Sequence, residues 1–114
     1  MTNYSSNLKK FGIYLAKVHF SDKPEVFKVR PVVVLDEKNS IVLVLKVTSK
    51  INQTRFAAYY LDNWINYGLN VPSSVIVSFA YQVNTGDVFK NRFLGTLNEI
   101  DVFNILSLLE RNCN

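Results

Sequence analysis

Apolar and polar side chains alternate along residues 12–20, GIYLAKVHF, with Tyr14, Ala16, Val18 and Phe20 on one side and Lys17 and His19 on the other. A period of two is the signature of a half-buried strand. Two β-branched runs follow, residues 31–35 and 41–48, separated by DEKNS; they read as a hairpin with a loop at 36–40. Residues 55–61 and 74–79 are further strand candidates, and 88–94 a less regular one. SDKPEVFK is a polar loop, NYGLNVPSS and NTGD carry turn chemistry, and residues 63–67 suit a short helical turn. From residue 96 the period changes: Ile100, Phe103, Leu106 and Leu109 are spaced for one face of a helix, and Thr96 with Glu99 has capping-box spacing. The expected product is one domain over residues 1–114, poorly structured over about residues 1–9. It is mainly β with a C-terminal α-helix, a small SH3-like β-barrel or a strongly bent sheet.

Composition narrows the class. The 114 residues are 48% hydrophobic, enough for one core. No run of about 18 uncharged apolar residues occurs, and the N-terminus lacks the apolar stretch of a secretion signal, so the expected location is the cytoplasm, with no membrane partner. Cys113 is the one cysteine and reads as a thiol without function. Thirteen Lys and Arg against nine Asp and Glu give a net charge of +4, which favours a polyanionic partner. With one histidine, one cysteine and scattered carboxylates, neither a metal site nor another cofactor is expected. Neither glycine-rich nucleotide motif is present.

The stretch KVRPVVVL holds the candidate chemistry. Pro31 restricts Arg30 to extended backbone, so its side chain leaves the strand in few directions. If residues 36–40 form the hairpin loop, Leu35 pairs with Ile41, and Arg30 stands opposite Lys46 and diagonal to Thr48. A two-residue loop at Lys38 and Asn39 would break that relation. A guanidinium, an ammonium and a hydroxyl at one end of a hairpin, with Ser49 and Lys50 next in sequence, suit a phosphate. The competing reading makes Arg30 a strand-end cation paired with Glu25 or Asp36.

Five blocks in order, FGIYLAKVHF, KVRPVVVL, VLVLKVTSK, YGLNVPSSVIV and FLGTLNEIDVFNILSLL, resemble the MazF/PemK family of ribonuclease toxins from type II toxin-antitoxin systems. The resemblance spans residues 11–110. It implies an SH3-like barrel, a homodimer, metal-independent cleavage of single-stranded RNA at short preferred sequences, and neutralisation by a cognate antitoxin. Through K-x-R-P it implies Arg30 as a catalytic residue, and through T-S, Thr48. Two departures stand out: Lys50 replaces the glutamine of many members, and SFAYQVNTGDVFK replaces a glutamine-centred segment. The same barrel also serves toxins that poison DNA gyrase through a tryptophan-containing C-terminal helix, which this chain lacks. A noncatalytic nucleic-acid-binding or protein-interaction barrel is the other alternative.

The expected reaction is transesterification by the ribose 2'-OH, with Arg30 stabilising charge on the phosphoryl oxygens and Thr48 orienting the phosphate. A guanidinium does not serve as the base, which leaves Glu25 and His19 as candidates. For the RNA path, Lys17, Lys28, Lys46, Ser49, Lys50 and Phe27 are candidate contacts, with Phe20 beside the same loop.

Overall fold

The computed structural model describes residues 8–19 and 22–112; the expectations for residues 1–7, Phe20 and Cys113 lie outside them. Within the described residues the chain forms seven strands and a C-terminal helix. These are β1 (Gly12–His19), β2 (Phe27–Lys38), β3 (Ile41–Thr48), β4 (Ala58–Tyr60), β5 (Ser74–Ile76), β6 (Tyr81–Asn84), β7 (Val88–Thr96) and α1 (Glu99–Asn112). β6 was not foreseen, the strands expected at 55–61 and 74–79 each shorten to three residues, and NTGD forms a single 3-10 turn, Thr85–Asp87.

The hairpin has a different register from either one considered. Asn39 and Ser40 both adopt positive φ, 54° and 68°, as in the primed turns whose twist matches paired strands. The loop is therefore these two residues, and Lys38 pairs with Ile41. A register shift between Val34 and Asp36 leaves Leu35 as an extra residue. Beyond it Val34 faces Val44, Val33 faces Leu45 and Val32 faces Lys46. Both strands are apolar almost throughout, so no alternation in the sequence could select this pairing.

β2 pairs with β1 through residues 27–33 and with β3 through residues 32–38. The free edge of β3 is divided in turn, with Ile41–Val44 taking β6 and Val47–Thr48 taking β5. The strands β6, β3, β2, β1 and β7 thus surround one apolar cluster, built from Tyr14, Ala16, Val18, Val32, Val34, Val42, Val44 and Val88. Among the described residues no ladder joins β6 to β7, so the sheet is not closed as a barrel by hydrogen bonds. The 3-10 turn spans the gap through the chain itself. At the other end, Gly12 begins β1 where an added Cβ would come within 2.9 Å of the Tyr14 ring.

A second cluster covers the opposite sheet face, with Ile13, Val33, Leu45, Val47, Leu61, Val75 and Val77 meeting Ile105 of α1. The helical turn at 63–67 is present, with the Tyr67 N–H bonded to Asn63 O at 3.1 Å, and Gly68 ends it at φ 75°. The helix is capped by Asn98, whose Oδ1 accepts the Asp101 N–H at 2.7 Å. The expected Thr96–Glu99 capping box is displaced by two residues, because β7 continues through Thr96.

Asp101 is buried and accepts hydrogen bonds from Tyr59 at 2.6 Å and from Tyr67. Asn98 N–H in turn donates to the Tyr67 oxygen, and Asn104 Nδ2 to that of Tyr59. Burial, above all, pushes the Tyr67 hydroxyl up to about 12, and the Asp101 carboxylate adds to the rise while the Asn98 N–H opposes it. Tyr59 is raised for the same leading reason, burial, and by Asp101.

Of the expected face Ile100, Phe103, Leu106 and Leu109, the first three do not turn inward. These residues are 71%, 70% and 40% exposed, while Val102, Ile105, Leu108 and Leu109 pack on the sheet. The helix has two apolar stripes, and the core takes the one centred on Ile105. Among the described residues no helix is long and apolar enough to cross a membrane.

Candidate active site

β1, β2 and β3 bring their even-numbered side chains to the interior of the curled sheet, and at one end that row becomes polar. Ala16 pairs with Arg30, and Val32 with Lys46. The β2–β3 ladder ends at Val32 and Lys46, and Arg30 and Thr48 lie two residues beyond it, one on each arm, so Arg30 is not opposite Lys46 as the expected register had it. Arg30 and Thr48 line a cavity of about 540 Å³ that Lys46, Lys50 and His19 also border.

Arg30 is half-buried and makes no ion pair with Glu25 or Asp36; the one ion pair among the described residues joins His19 to Asp87. Asp36 Oδ1 instead accepts the Glu37 N–H at 2.9 Å, and Glu25 lies exposed in the turn before β2. The cavity holds one carboxylate, Asp22, but Arg30 forms no ion pair with it, and a guanidinium fork not committed to an ion pair is suited to an anion from solution. Thr48 Oγ1 accepts the Lys50 N–H at 3.1 Å, so its own hydrogen is left to donate to such an anion.

The other expected contacts divide. Lys28, Ser49, Lys17 and Phe27 do not line this cavity. Lys17 Nζ instead sits 4.8 Å over the Phe27 ring, and Phe27 also meets His19, with ring centroids 5.5 Å apart. These three side chains form a separate cluster at the end of the β1–β2 ladder, because residues 17, 19, 27 and 29 alternate to the face opposite Arg30. His19 reaches the cavity from that border. Its Nδ1 donates to the Pro24 carbonyl at 2.6 Å, and its Nε2 lies 3.4 Å from Asp87 Oδ2.

Several residues of the cavity were not anticipated: Asp22, Gln53, Arg55, Phe56 and Tyr81. Arg55 and Phe56 belong to the irregular segment after β3, and Tyr81 to the unforeseen β6. The one sequence signal was a cation beside an aromatic, Arg55 and Phe56, in a polar stretch without periodicity to place it. Among the described residues, no three His, Cys, Asp or Glu side chains are grouped to hold a metal ion.

No protein-family model matches the sequence, and no curated protein matches it. Solved structures do. The chain superposes on the Mycobacterium tuberculosis toxin MazF-mt6 with a TM-score of 0.68 and 21% identity, over 90% of this chain and 95% of that one. It is also similar to an endoribonuclease in complex with its cognate antitoxin from a mycobacterial species, with TM-score 0.68, 9% identity, and 96% and 95% of the two chains covered. At these identities the likeness is one of fold, and the fold of this chain is that of the MazF toxins.

Proposed function

We propose that this protein is the toxin of a type II toxin-antitoxin system, an endoribonuclease that cleaves single-stranded RNA by attack of the ribose 2'-OH. The observation that carries this reading is the pairing of Arg30, without a carboxylate partner among the described residues, with the Thr48 hydroxyl in one cation-lined cavity. In the reaction the 2'-oxygen bonds to the adjacent phosphorus as its proton passes to a base. The bond from phosphorus to the 5'-oxygen breaks, and that oxygen takes a proton. The products are a 2',3'-cyclic phosphate and a 5'-hydroxyl.

Negative charge grows on the non-bridging oxygens as the phosphorus becomes five-coordinate, and Arg30 stabilises that charge where it develops. Thr48 fixes one oxygen, and Lys46 and Lys50 hold the flanking phosphates. Within the cavity, Asp22 and His19 are the groups able to handle protons. With Nδ1–H committed to the Pro24 carbonyl, the neutral His19 ring carries its lone pair on Nε2, which suits that nitrogen to accept the 2'-OH proton, and the departing 5'-oxygen takes its proton from water.

A cognate antitoxin is part of this reading, since one of the similar structures is an endoribonuclease with its antitoxin bound. So is a homodimer: the outward stripe of Ile100, Phe103 and Leu106 supplies an apolar face for a second copy. Cytoplasmic RNA is the expected target. The test is incubation of a long single-stranded RNA with purified protein in EDTA, alongside Arg30→Ala and Thr48→Ala variants of verified fold. Discrete fragments ending in cyclic phosphate, from the wild type only, support the assignment; intact RNA in every lane overturns it.

A further inference from the structure

Three aromatic rings form a connected ridge beside Arg30 and Thr48. Phe56 meets Phe79 edge to face with centroids 5.1 Å apart and planes at 86°, and Phe79 meets Tyr81 at 5.0 Å and 83°. The outer two rings, Phe56 and Tyr81, line the cavity that holds Arg30 and Thr48. Each of them carries a cation: Lys46 Nζ lies 4.1 Å above the Tyr81 ring, and Arg55 Cζ 5.1 Å above that of Phe56.

The ridge is held from behind. Gln53 clamps the backbone of Phe56 through both amide atoms, Nε2 to the Phe56 carbonyl at 2.8 Å and Oε1 from its N–H at 2.9 Å. The next residue, Ala57, donates to Ser78 Oγ at 2.7 Å, which ties this irregular segment to the residue before Phe79. Tyr81 is fixed by its ladder position opposite Val44, and Lys46 is two residues further along the same strand. The rings are thus placed by backbone contacts, while the two cations on them sit at the ends of long, rotatable side chains.

We propose that Phe56, Phe79 and Tyr81 form a base-stacking platform for the nucleotides flanking the scissile phosphate, and that RNA binding moves Lys46 and Arg55 from the ring faces to backbone phosphates. The proposal rests on the ribonuclease reading and deepens it. Arg55 is exposed and Lys46 half-buried, and a cation on a ring in contact with solvent is held less strongly than a stacked base, so the exchange runs toward RNA, and each released cation gains a phosphate. Duplex RNA has its base faces already stacked, so the platform selects single strands. Stacking accepts any base, and the ridge therefore sets position on the strand more than sequence.

The test uses a single-stranded RNA oligonucleotide methylated at every 2'-OH, which binds without being cut, and measures its affinity by fluorescence anisotropy across a salt series. Phe56→Leu and Tyr81→Leu are expected to weaken binding about tenfold each with the salt slope unchanged. Lys46→Ala should instead lower the slope by about one, and Tyr81→Phe, which keeps the ring, should bind as the wild type does. On cleavable RNA the leucine variants should raise KM with kcat little changed. Leucine variants that fold, cut RNA and bind it as tightly as the wild type would overturn the platform and leave the ribonuclease standing. A wild type that binds the methylated strand in this ring-dependent way yet cuts no RNA sinks the ribonuclease alone, and one that neither binds nor cuts sinks both.

Discussion

Arg30 and Thr48 sit on the two arms of one hairpin and line one cavity, with a turn of just two residues, Asn39 and Ser40, joining the arms. Their separation is set by sheet geometry and not by a mobile loop, which is the rigidity a positioned phosphate requires. Arg30→Ala should lower the cleavage rate about a hundredfold or more with binding less affected. Arg30→Lys should recover little, because the ammonium keeps the charge but loses the two-pronged fork. Single-turnover cleavage of a labelled RNA separates the two effects.

The buried Asp101 carboxylate joins the helix to the sheet by receiving Tyr59 and Tyr67. Asp101→Ala would leave the buried Tyr67 hydroxyl and the half-buried Tyr59 hydroxyl without this acceptor, at about 2 kcal/mol in total. Urea denaturation should show that loss with an unchanged slope. Cleavage per folded molecule should persist, because the network lies outside the Arg30 cavity.

Tyr67 makes stability depend on pH at the alkaline end. Its folded hydroxyl is held at about 12, above the value of 10 for a free tyrosine, so the unfolded chain loses this proton first. The stabilisation is complete below pH 10 and declines as the pH rises toward 12. Denaturation midpoints at pH 9 and 11 should fall further apart for the wild type than for Tyr67→Phe.

The helix offers two substitutions with opposite outcomes. Ile105→Ala empties a buried site and should cost about 2–5 kcal/mol of stability. Phe103→Asp changes an outward residue, so the fold should survive while the proposed dimer dissociates into single chains. Sedimentation equilibrium reads the second result; a wild type that sediments as a monomer refutes the dimer.

What was legible in the sequence was local. K-x-R-P and T-S pointed to Arg30 and Thr48, and the alternation of Tyr14, Ala16 and Val18 is that of the interior cluster. The register was not legible, because Val32–Leu35 and Ile41–Leu45 are apolar on both faces and the bulge at Leu35 leaves no compositional mark. The helix was recognisable but its buried side was not, since Ile100–Phe103–Leu106 and Val102–Ile105–Leu108 have the same spacing and the sheet decides between them. Phe56 and Tyr81 were missed because their meeting with Arg30 depends on β5 and β6 docking along one edge of β3.

That divided edge of β3 also orders assembly. The arms bearing Arg30 and Thr48 can zip from the Asn39–Ser40 turn at little cost in loop entropy, whereas Gly12 finds Thr96 only after nearly the whole chain is available. During synthesis the hairpin bearing Arg30 and Thr48 can thus leave the ribosome and pair before the aromatic ridge and the helix exist. β3 then acts as the template on which β5 and β6 dock side by side, and only their docking completes the cavity around Arg30 and Thr48.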